Sequence, residues 1–175
     1  ITIHHAGVLW TNKKTPPVMI KNMQSWGKKE KKWPDVPYHF LIGPDGTIYE
    51  GRSLLYEPDT NTKYEVSGHI GVELMGNFEE QRMSESQLKS LVDITAWLAQ
   101  EFEINPDHIG GHKDVAPDQT TCPGKDLHRY IEDGAIATWT TAMRAGEKPE
   151  IVYREALPGG PAEVITLKPP TSQPK

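Results

Sequence analysis

The feature that most constrains the fold is a long amphipathic segment in the middle of the chain, SESQLKSLVDITAWLAQEF at 84–102. Its apolar residues recur at the spacing of one helix face, and Ser84 and Gln87 form a capping-box pattern at its start. Short apolar runs typical of strands lie on both sides of it: ITI (1–3), FLI (40–42) and TIY (47–49) around a GPDG turn, IGVEL (70–74) and HIGG (108–111). Strands that alternate with helices predict an α/β fold, with a mixed central β-sheet flanked by α-helices.

Two further helices are predicted on either side of this framework. The segment 19–33 places Met19, Met23 and Trp26 on one face, and a last helix is expected over about 125–144, with Gly134 inside it. Four lysines crowd the end of the first of these helices. We interpret them as a solvated helix terminus, and a polyanion site is the less favoured alternative.

The composition of the chain changes after residue 145. From Gly146 the sequence is rich in proline and glycine and has only short apolar pieces. We therefore predict one domain over 1–145 and an extended tail or linker over 146–175. The pieces EIVY (150–153) and EVITL (163–167) could dock this tail onto the domain.

The totals exclude several classes of protein. A chain of 175 residues with 36% hydrophobic and 25% charged residues is typical of one globular domain. The net charge of -5 argues against a nucleic-acid partner, and no apolar run approaches the roughly 18 residues of a membrane span. The opening ITIHH lacks the order of an export signal, so we expect that such a signal was removed or never present. No oligomer signal is visible, and a monomer is expected.

The single cysteine, Cys122, lies in the polar loop QTTCPG rather than in an apolar run. An exposed free thiol is reactive unless something binds it or uses it. Because His4 and His112 each lie at a strand end, the three side chains form a candidate zinc site of the catalytic type. From spacing alone this triple is one of many, since the chain has seven histidines and a lone histidine is more often a surface or core residue.

Four motifs occur in an order that is more specific than any one of them: ITIHHAG, WPDVPYHFLIGPDGTIYEGR, IGVELMGNF and GGHKDVAPDQTTCPGKDL. Over about residues 1–133 they closely resemble the zinc-dependent N-acetylmuramoyl-L-alanine amidases, a family that includes phage lysozyme-like amidases and animal peptidoglycan recognition proteins. The resemblance implies the peptidoglycan-recognition-protein-like amidase fold and hydrolysis of the amide between N-acetylmuramic acid and L-alanine. It also implies one zinc ion per chain, a peptidoglycan or muropeptide substrate, and a periplasmic or extracellular location.

The resemblance also assigns roles to residues of the metal site. By position in the motifs, His4, His112 and Cys122 match the family's zinc ligands. His5 is the competing assignment to His4, and because side chains alternate along a strand, only one of the two is expected to reach the metal.

Three further positions match residues of the family's catalytic site. Glu73 is expected to transfer the proton, since burial in an apolar strand raises the pKa of a carboxyl group toward a useful range. The alternatives for Glu73 are a solvent-facing position on an edge strand or an ion pair with Arg52. Tyr38 is the candidate oxyanion donor, against an ordinary strand tyrosine. Thr120 is a weaker candidate donor, because a hydroxyl donates less strongly than an ammonium group.

The substrate pocket is less well defined by the sequence. His39, Arg52 and His69 are candidate substrate contacts, although packing or hydrogen bonding is the favoured interpretation of His39. Many family members carry a histidine and an asparagine before the IGVEL strand, and the stretch EPDTNTKYEVSGHIG at 57–71 lacks that pattern. His69 either lines the cleft or caps the strand.

Two other function classes stay open at this point. A peptidoglycan-binding module could keep the groove without the chemistry, although non-catalytic relatives typically replace the cysteine that is present here as Cys122. A copper electron carrier also uses two histidines and a cysteine, but it usually adds an axial methionine, and no methionine lies near Cys122 in the sequence.

Overall fold

In the computed structural model, which describes residues 1–168, the fold is built on a five-stranded sheet. The strands are β1 (Thr2–His5), β2 (Phe40–Ile42), β3 (Ile48–Glu50), β4 (Gly71–Leu74) and β5 (Gly110–Gly111). Their order is β3-β2-β4-β1-β5, with β3 antiparallel to β2 and the other pairs parallel. The predicted mixed sheet and its GPDG hairpin are therefore confirmed, and β4 lies at the centre of the sheet.

Five α-helices surround the sheet: α1 (Pro16–Trp26), α2 (Glu85–Glu101), α3 (His112–Val115), α4 (Lys125–Glu132) and α5 (Ala135–Arg144). Helix α2 confirms the strongest helix prediction, and both hydrogen bonds of its predicted capping box form between Ser84 and Gln87. The Gln87 side chain also donates to the carbonyls of Ile42 and Met75, which ties the start of α2 to the ends of β2 and β4.

Two of the predicted helices differ from the structure. The helix expected over about 125–144 is two helices, because Gly134 adopts a left-handed conformation with φ 76° and ends the regular hydrogen bonding between α4 and α5. The helix expected over 19–33 begins at Pro16, whose missing N–H costs nothing in a first turn. It then continues as a π-helical turn over Gly27–Lys31.

The core lies between the sheet and the pair α2 and α5. It is formed by fully buried side chains that include Ile3, Leu41, Val72, Leu91 and Tyr130. Helix α2 packs along α5, where the buried hydroxyls of Thr95 and Thr140 lie 3.0 Å apart. Packing on this side of the sheet leaves the carboxyl ends of the parallel strands free to carry side chains of another kind.

The described part of the tail, residues 146–168, docks onto the domain through both of the apolar pieces seen in the sequence. Tyr153 donates its hydroxyl proton to the carbonyl of Met83, and Ile165 is 2% exposed within the core. Val164 forms an isolated parallel bridge with Arg82, and the Trp10 indole N–H donates to the carbonyl of Thr166. Residues 169–175 of the predicted tail lie outside the described part of the chain.

No helix within residues 1–168 is long and apolar enough to cross a membrane.

Candidate active site

The candidate site lies where parallel strands end at the same edge of the sheet. Strands β1 and β4 run parallel, with His4 paired in register with Glu73, so the two side chains are brought to neighbouring positions. Strand β5 pairs with β1 on its other side and leads directly into α3, whose first residue is His112. In open α/β sheets this carboxyl edge is where ligands bind.

His4, His112 and Cys122 form the one cluster in residues 1–168 with the geometry of a metal site. All three residues are buried, and one ligand atom from each lies within 4.8 Å of the other two. The Sγ atom of Cys122 is 3.7 Å from Nδ1 of His4, and the two imidazole rings are 4.7 Å apart between centroids.

Burial sets the protonation of this cluster. It lowers the pKa of His4 well below the usual value, with His112 as a second cause, and it lowers the pKa of His112 as well. It raises the pKa of the Cys122 thiol to about 12. Two neutral imidazoles and a thiol that ionises on metal binding are ligands that catalytic zinc takes, with a fourth position left for water. The donor set therefore fits zinc.

His5 points to the other side of the sheet, as the alternation along β1 predicts. Its Nδ1 accepts a hydrogen bond of 3.1 Å from the backbone N–H of Phe78, so the ring is held away from the cluster. The backbone N–H of His5 nevertheless approaches Cys122, at 3.3 Å from Sγ. The side chain that joins His112 and Cys122 is thus that of His4.

The loop that carries Cys122 is shaped by close packing. The Cys122 N–H donates to the hydroxyl of Thr120 at 3.1 Å, and the Cys122 carbonyl accepts from the N–H of Lys113. Gly124 has a φ of 85°, and a Cβ atom there would lie 2.5 Å from the carbonyl carbon of Phe78. Only glycine fits this close approach, which brings the loop and its thiol against the end of β1.

Glu73 is the most unusual charged group of the site. It is fully buried on the central strand β4, and neither carboxylate oxygen has a hydrogen-bond partner. Desolvation raises the pKa of this carboxyl group to about 8. The structure excludes both alternative interpretations, since β4 is not an edge strand and Arg52 pairs with Asp59 instead. A buried carboxylate without a partner costs folding free energy, which is typical of functional sites.

Tyr38 lies between Glu73 and the metal cluster. Its ring is 4.9 Å from that of His4 between centroids. Burial raises the pKa of its hydroxyl well above the usual value, and the neighbouring Cys122 and Glu73 raise it further. The hydroxyl therefore stays protonated and can donate a hydrogen bond at neutral pH.

Two adjoining clefts meet at Tyr38. The first, of about 440 Å³, is mainly apolar and reaches Glu73; its walls include Trp10, Met19, Met23, Trp26 and Trp33. The second, of about 310 Å³, is lined by the metal cluster, Thr120 and the segment 59–62. The walls of both clefts share Ala6, Trp33, Pro37, Tyr38 and Asn61. An elongated molecule could lie in the apolar cleft while its polar end reaches the cluster.

The three candidate substrate contacts lie away from the metal cluster. His39 is buried and uses both ring nitrogens: Nδ1 accepts from the N–H of Gly71, so Nε2–H donates to the carbonyl of Tyr56. Arg52 is buried and donates to backbone carbonyls, including that of Val36, in addition to its ion pair with Asp59. His69 lies 2.6 Å from the hydroxyl of Thr2 through Nδ1 and lines a separate cleft.

Sequence reasoning missed the loop that covers the metal cluster. Thr62 Oγ1 is 2.6 Å from Nε2 of His112, and Thr60 Oγ1 is 3.3 Å from the same nitrogen. The ring of Tyr64 lies 5.5 Å from that of His112 between centroids. These residues belong to the polar stretch DTNTKY, which has neither periodicity nor a motif, so the sequence carries no signal for them.

Comparison with known proteins agrees with this geometry. The family model described as N-acetylmuramoyl-L-alanine amidase matches residues 1–125. Peptidoglycan recognition protein 1 of Bos indicus is 32% identical over 139 residues, which cover 75% of this chain and 69% of the relative. The solved structure of the N-acetylmuramoyl-L-alanine amidase LysC from Clostridium intestinale aligns with a TM-score of 0.64 at 27% identity, covering 77% of this chain and 80% of that one. Drosophila PGRP-LB aligns with the same TM-score at 28% identity, covering 75% and 77%.

Proposed function

The chain belongs to the N-acetylmuramoyl-L-alanine amidase family, and we propose that it is an active member: a zinc-dependent hydrolase that cleaves the amide between N-acetylmuramic acid and L-alanine. The substrate would be peptidoglycan or a muropeptide, and one zinc ion would be bound per chain. Because that substrate lies outside the cytoplasm, we propose a periplasmic or extracellular site of action.

One observation carries this proposal: an unpartnered, fully buried carboxyl group lies beside a cluster of two histidines and a cysteine. The cluster supplies ligands for zinc, and His4 is the register partner of Glu73 on the neighbouring strand. A module that only binds its ligand has no need of a desolvated carboxyl group, whereas a hydrolase needs a group that moves a proton.

Each residue of the site then has a chemical task. A zinc ion held by His4, His112 and Cys122 would polarise the scissile carbonyl and lower the pKa of a coordinated water to about 7. Glu73 takes the proton of the attacking water and delivers it to the leaving amine, and a nearby cation would favour the carboxylate form that this task requires. Tyr38, kept protonated by burial, donates to the oxyanion as it forms.

Thr120 has a smaller role in this scheme. Its hydroxyl oxygen already accepts the N–H of Cys122, which leaves its own proton for the substrate or for a water in the smaller cleft. The apolar cleft beside Glu73 would bind the remainder of the substrate, with tryptophan and methionine side chains against its less polar faces.

A peptidoglycan-recognition module without catalysis is the second candidate, because several relatives are named recognition proteins. The intact set of His4, His112 and Cys122, together with Glu73, favours the enzyme. A copper electron carrier is disfavoured because no methionine lines the cleft that contains the cluster.

The test combines metal analysis with product analysis. We expect about one zinc per purified chain, by analogy with catalytic zinc sites, and muropeptide products separated at the bond between the lactyl group and alanine, detected by mass spectrometry. The Glu73→Gln variant is the matched control, since it keeps the ligands and removes the proton acceptor. Zinc-loaded protein that leaves both intact peptidoglycan and soluble muropeptides uncut would support the recognition module instead.

A further inference from the structure

The loop over 59–64 carries two threonines to the far side of the His112 ring. Thr62 Oγ1 lies 2.6 Å from Nε2 of His112, a short hydrogen bond, and Thr60 Oγ1 lies 3.3 Å from it. The two hydroxyls are 2.9 Å apart, and the Thr62 N–H also donates to the hydroxyl of Thr60. His112 thus has one nitrogen engaged by a hydroxyl pair, and Nδ1 is the nitrogen that is left for another partner.

The loop is held in place from both ends. At its start, the buried guanidinium of Arg52 pairs with Asp59, and the Asp59 N–H donates to the carbonyl of Pro37. Beyond Thr62, the side chain of Gln119 bonds both backbone groups of Lys63, accepting from its N–H at 2.7 Å and donating to its carbonyl at 3.2 Å. Gln119 lies three residues before Cys122, so the clamp joins the threonine loop to the loop of another candidate ligand.

A histidine ligand needs its second nitrogen to be fixed. When one ring nitrogen binds a metal, the other carries the proton and donates it to an oxygen, which sets both the tautomer and the orientation of the ring. Loss of such a partner typically lowers metal affinity by about 10–100-fold. The Thr62 oxygen is in the place that this arrangement requires.

We propose that Thr62 is a positioning residue of the metal centre: its hydroxyl oxygen accepts a hydrogen bond from Nε2–H of His112 and leaves Nδ1 of that ring as the ligand nitrogen. The proposal rests on the proposed function, in which His112 binds zinc. It gives the stretch 57–71, which departs from the family pattern, a specific task, because this stretch supplies the partner of a ligand instead of a substrate contact. Arg52 then acts at one remove, as the anchor of the loop.

The first test measures zinc affinity. Zinc would be titrated into metal-free protein in competition with a chromophoric chelator, for the wild type, Thr62→Val, Thr62→Ser and the control Thr138→Val on the exposed face of α5. Thr62→Val is expected to lose about 10–100-fold in affinity, whereas Thr62→Ser and Thr138→Val stay close to the wild type. Equal or tighter binding by Thr62→Val would overturn the proposal, since tighter binding means that the hydroxyl competes with the ion for Nε2. A Thr62→Ser variant as weak as Thr62→Val would also overturn it, because the hydroxyl would then not be the relevant group.

The second test needs no metal. Long-range ¹⁵N–¹H NMR correlations of metal-free protein distinguish a histidine protonated at Nε2 from one protonated at Nδ1. His112 of the wild type is expected as the Nε2–H tautomer, and Thr62→Val as a mixture of the two. An Nδ1–H tautomer in the wild type would overturn the proposal. If the wild type bound no zinc, the proposed function would fail, and the NMR result would still decide whether Thr62 positions the ring.

Discussion

The buried carboxyl group of Glu73 makes a quantitative prediction about stability. In the metal-free protein its pKa is about 8, against 4.5 for an unperturbed carboxyl group. Between these two values the unfolded chain is ionised at this position and the folded chain is not, so the free energy of unfolding falls as pH rises. At about 1.4 kcal/mol per pH unit, the loss is about 2–3 kcal/mol by pH 6.5 and reaches about 5 kcal/mol above pH 8.

The Glu73→Gln variant removes this dependence while keeping the shape of the side chain. We therefore expect the variant to gain stability relative to the wild type as pH rises from 5 to 8, and the gain to level off above pH 8. Denaturant unfolding of both proteins in the presence of a metal chelator, at a series of pH values, measures the difference directly. The same exchange at Glu101, exposed on α2, reports the effect of removing one surface carboxylate.

A stability difference between the two proteins that does not change with pH would refute this reasoning. Glu73 would then be hydrated or paired in solution, and its assignment as the proton acceptor would lose its physical basis. A difference that rises toward about 5 kcal/mol would establish the desolvated carboxyl group without any measurement of activity.

Four further outcomes are expected. Glu73→Gln keeps its zinc by elemental analysis and loses about 10²–10⁴-fold in turnover of muropeptides; turnover near that of the wild type would remove Glu73 from the mechanism. Cys122→Ser loses most of its zinc with little change in the far-ultraviolet circular dichroism spectrum, because the site lies at the edge of the core, and full zinc occupancy would contradict the ligand assignment. Tyr38→Phe retains zinc and loses about 10²-fold in turnover if the hydroxyl stabilises the oxyanion, whereas unchanged turnover would leave it a packing residue. Ile165→Ala costs about 2–4 kcal/mol in denaturant unfolding, since Ile165 is 2% exposed, while Val164→Ala, at 37% exposed, costs much less; equal costs would mean that the tail does not dock in solution.

Much of the fold could be predicted because its signals are local. The capping box of Ser84 and Gln87 and the apolar face that follows fix α2, and the GPDG turn fixes the hairpin of β2 and β3. The last helix was predicted incorrectly because periodicity continues across Gly134, while the left-handed conformation of that glycine divides the segment into two helices. Glycine permits such a break without requiring it, so the sequence could not decide between one helix and two.

The candidate metal ligands were predictable for a different reason. Their motifs are short and ordered, and alternation along β1 limits the choice to one of the two adjacent histidines. Which of the two meets Cys122 depends on which face of β1 the Cys122 loop packs against. That packing is set by Gly124 and Phe78, which are far apart in the sequence.

By itself, the sequence determined the order of strands and helices, the family and the set of side chains able to bind zinc, because periodicity, capping and motifs are written in neighbouring residues. Only the tertiary structure decided that Glu73 has no partner, that Arg52 anchors a loop and that Thr62 contacts His112. Each of these facts depends on the register of parallel strands and on the exclusion of water by segments distant in the chain. Desolvation and hydrogen-bond partners are properties of the packed molecule, and no local pattern encodes them.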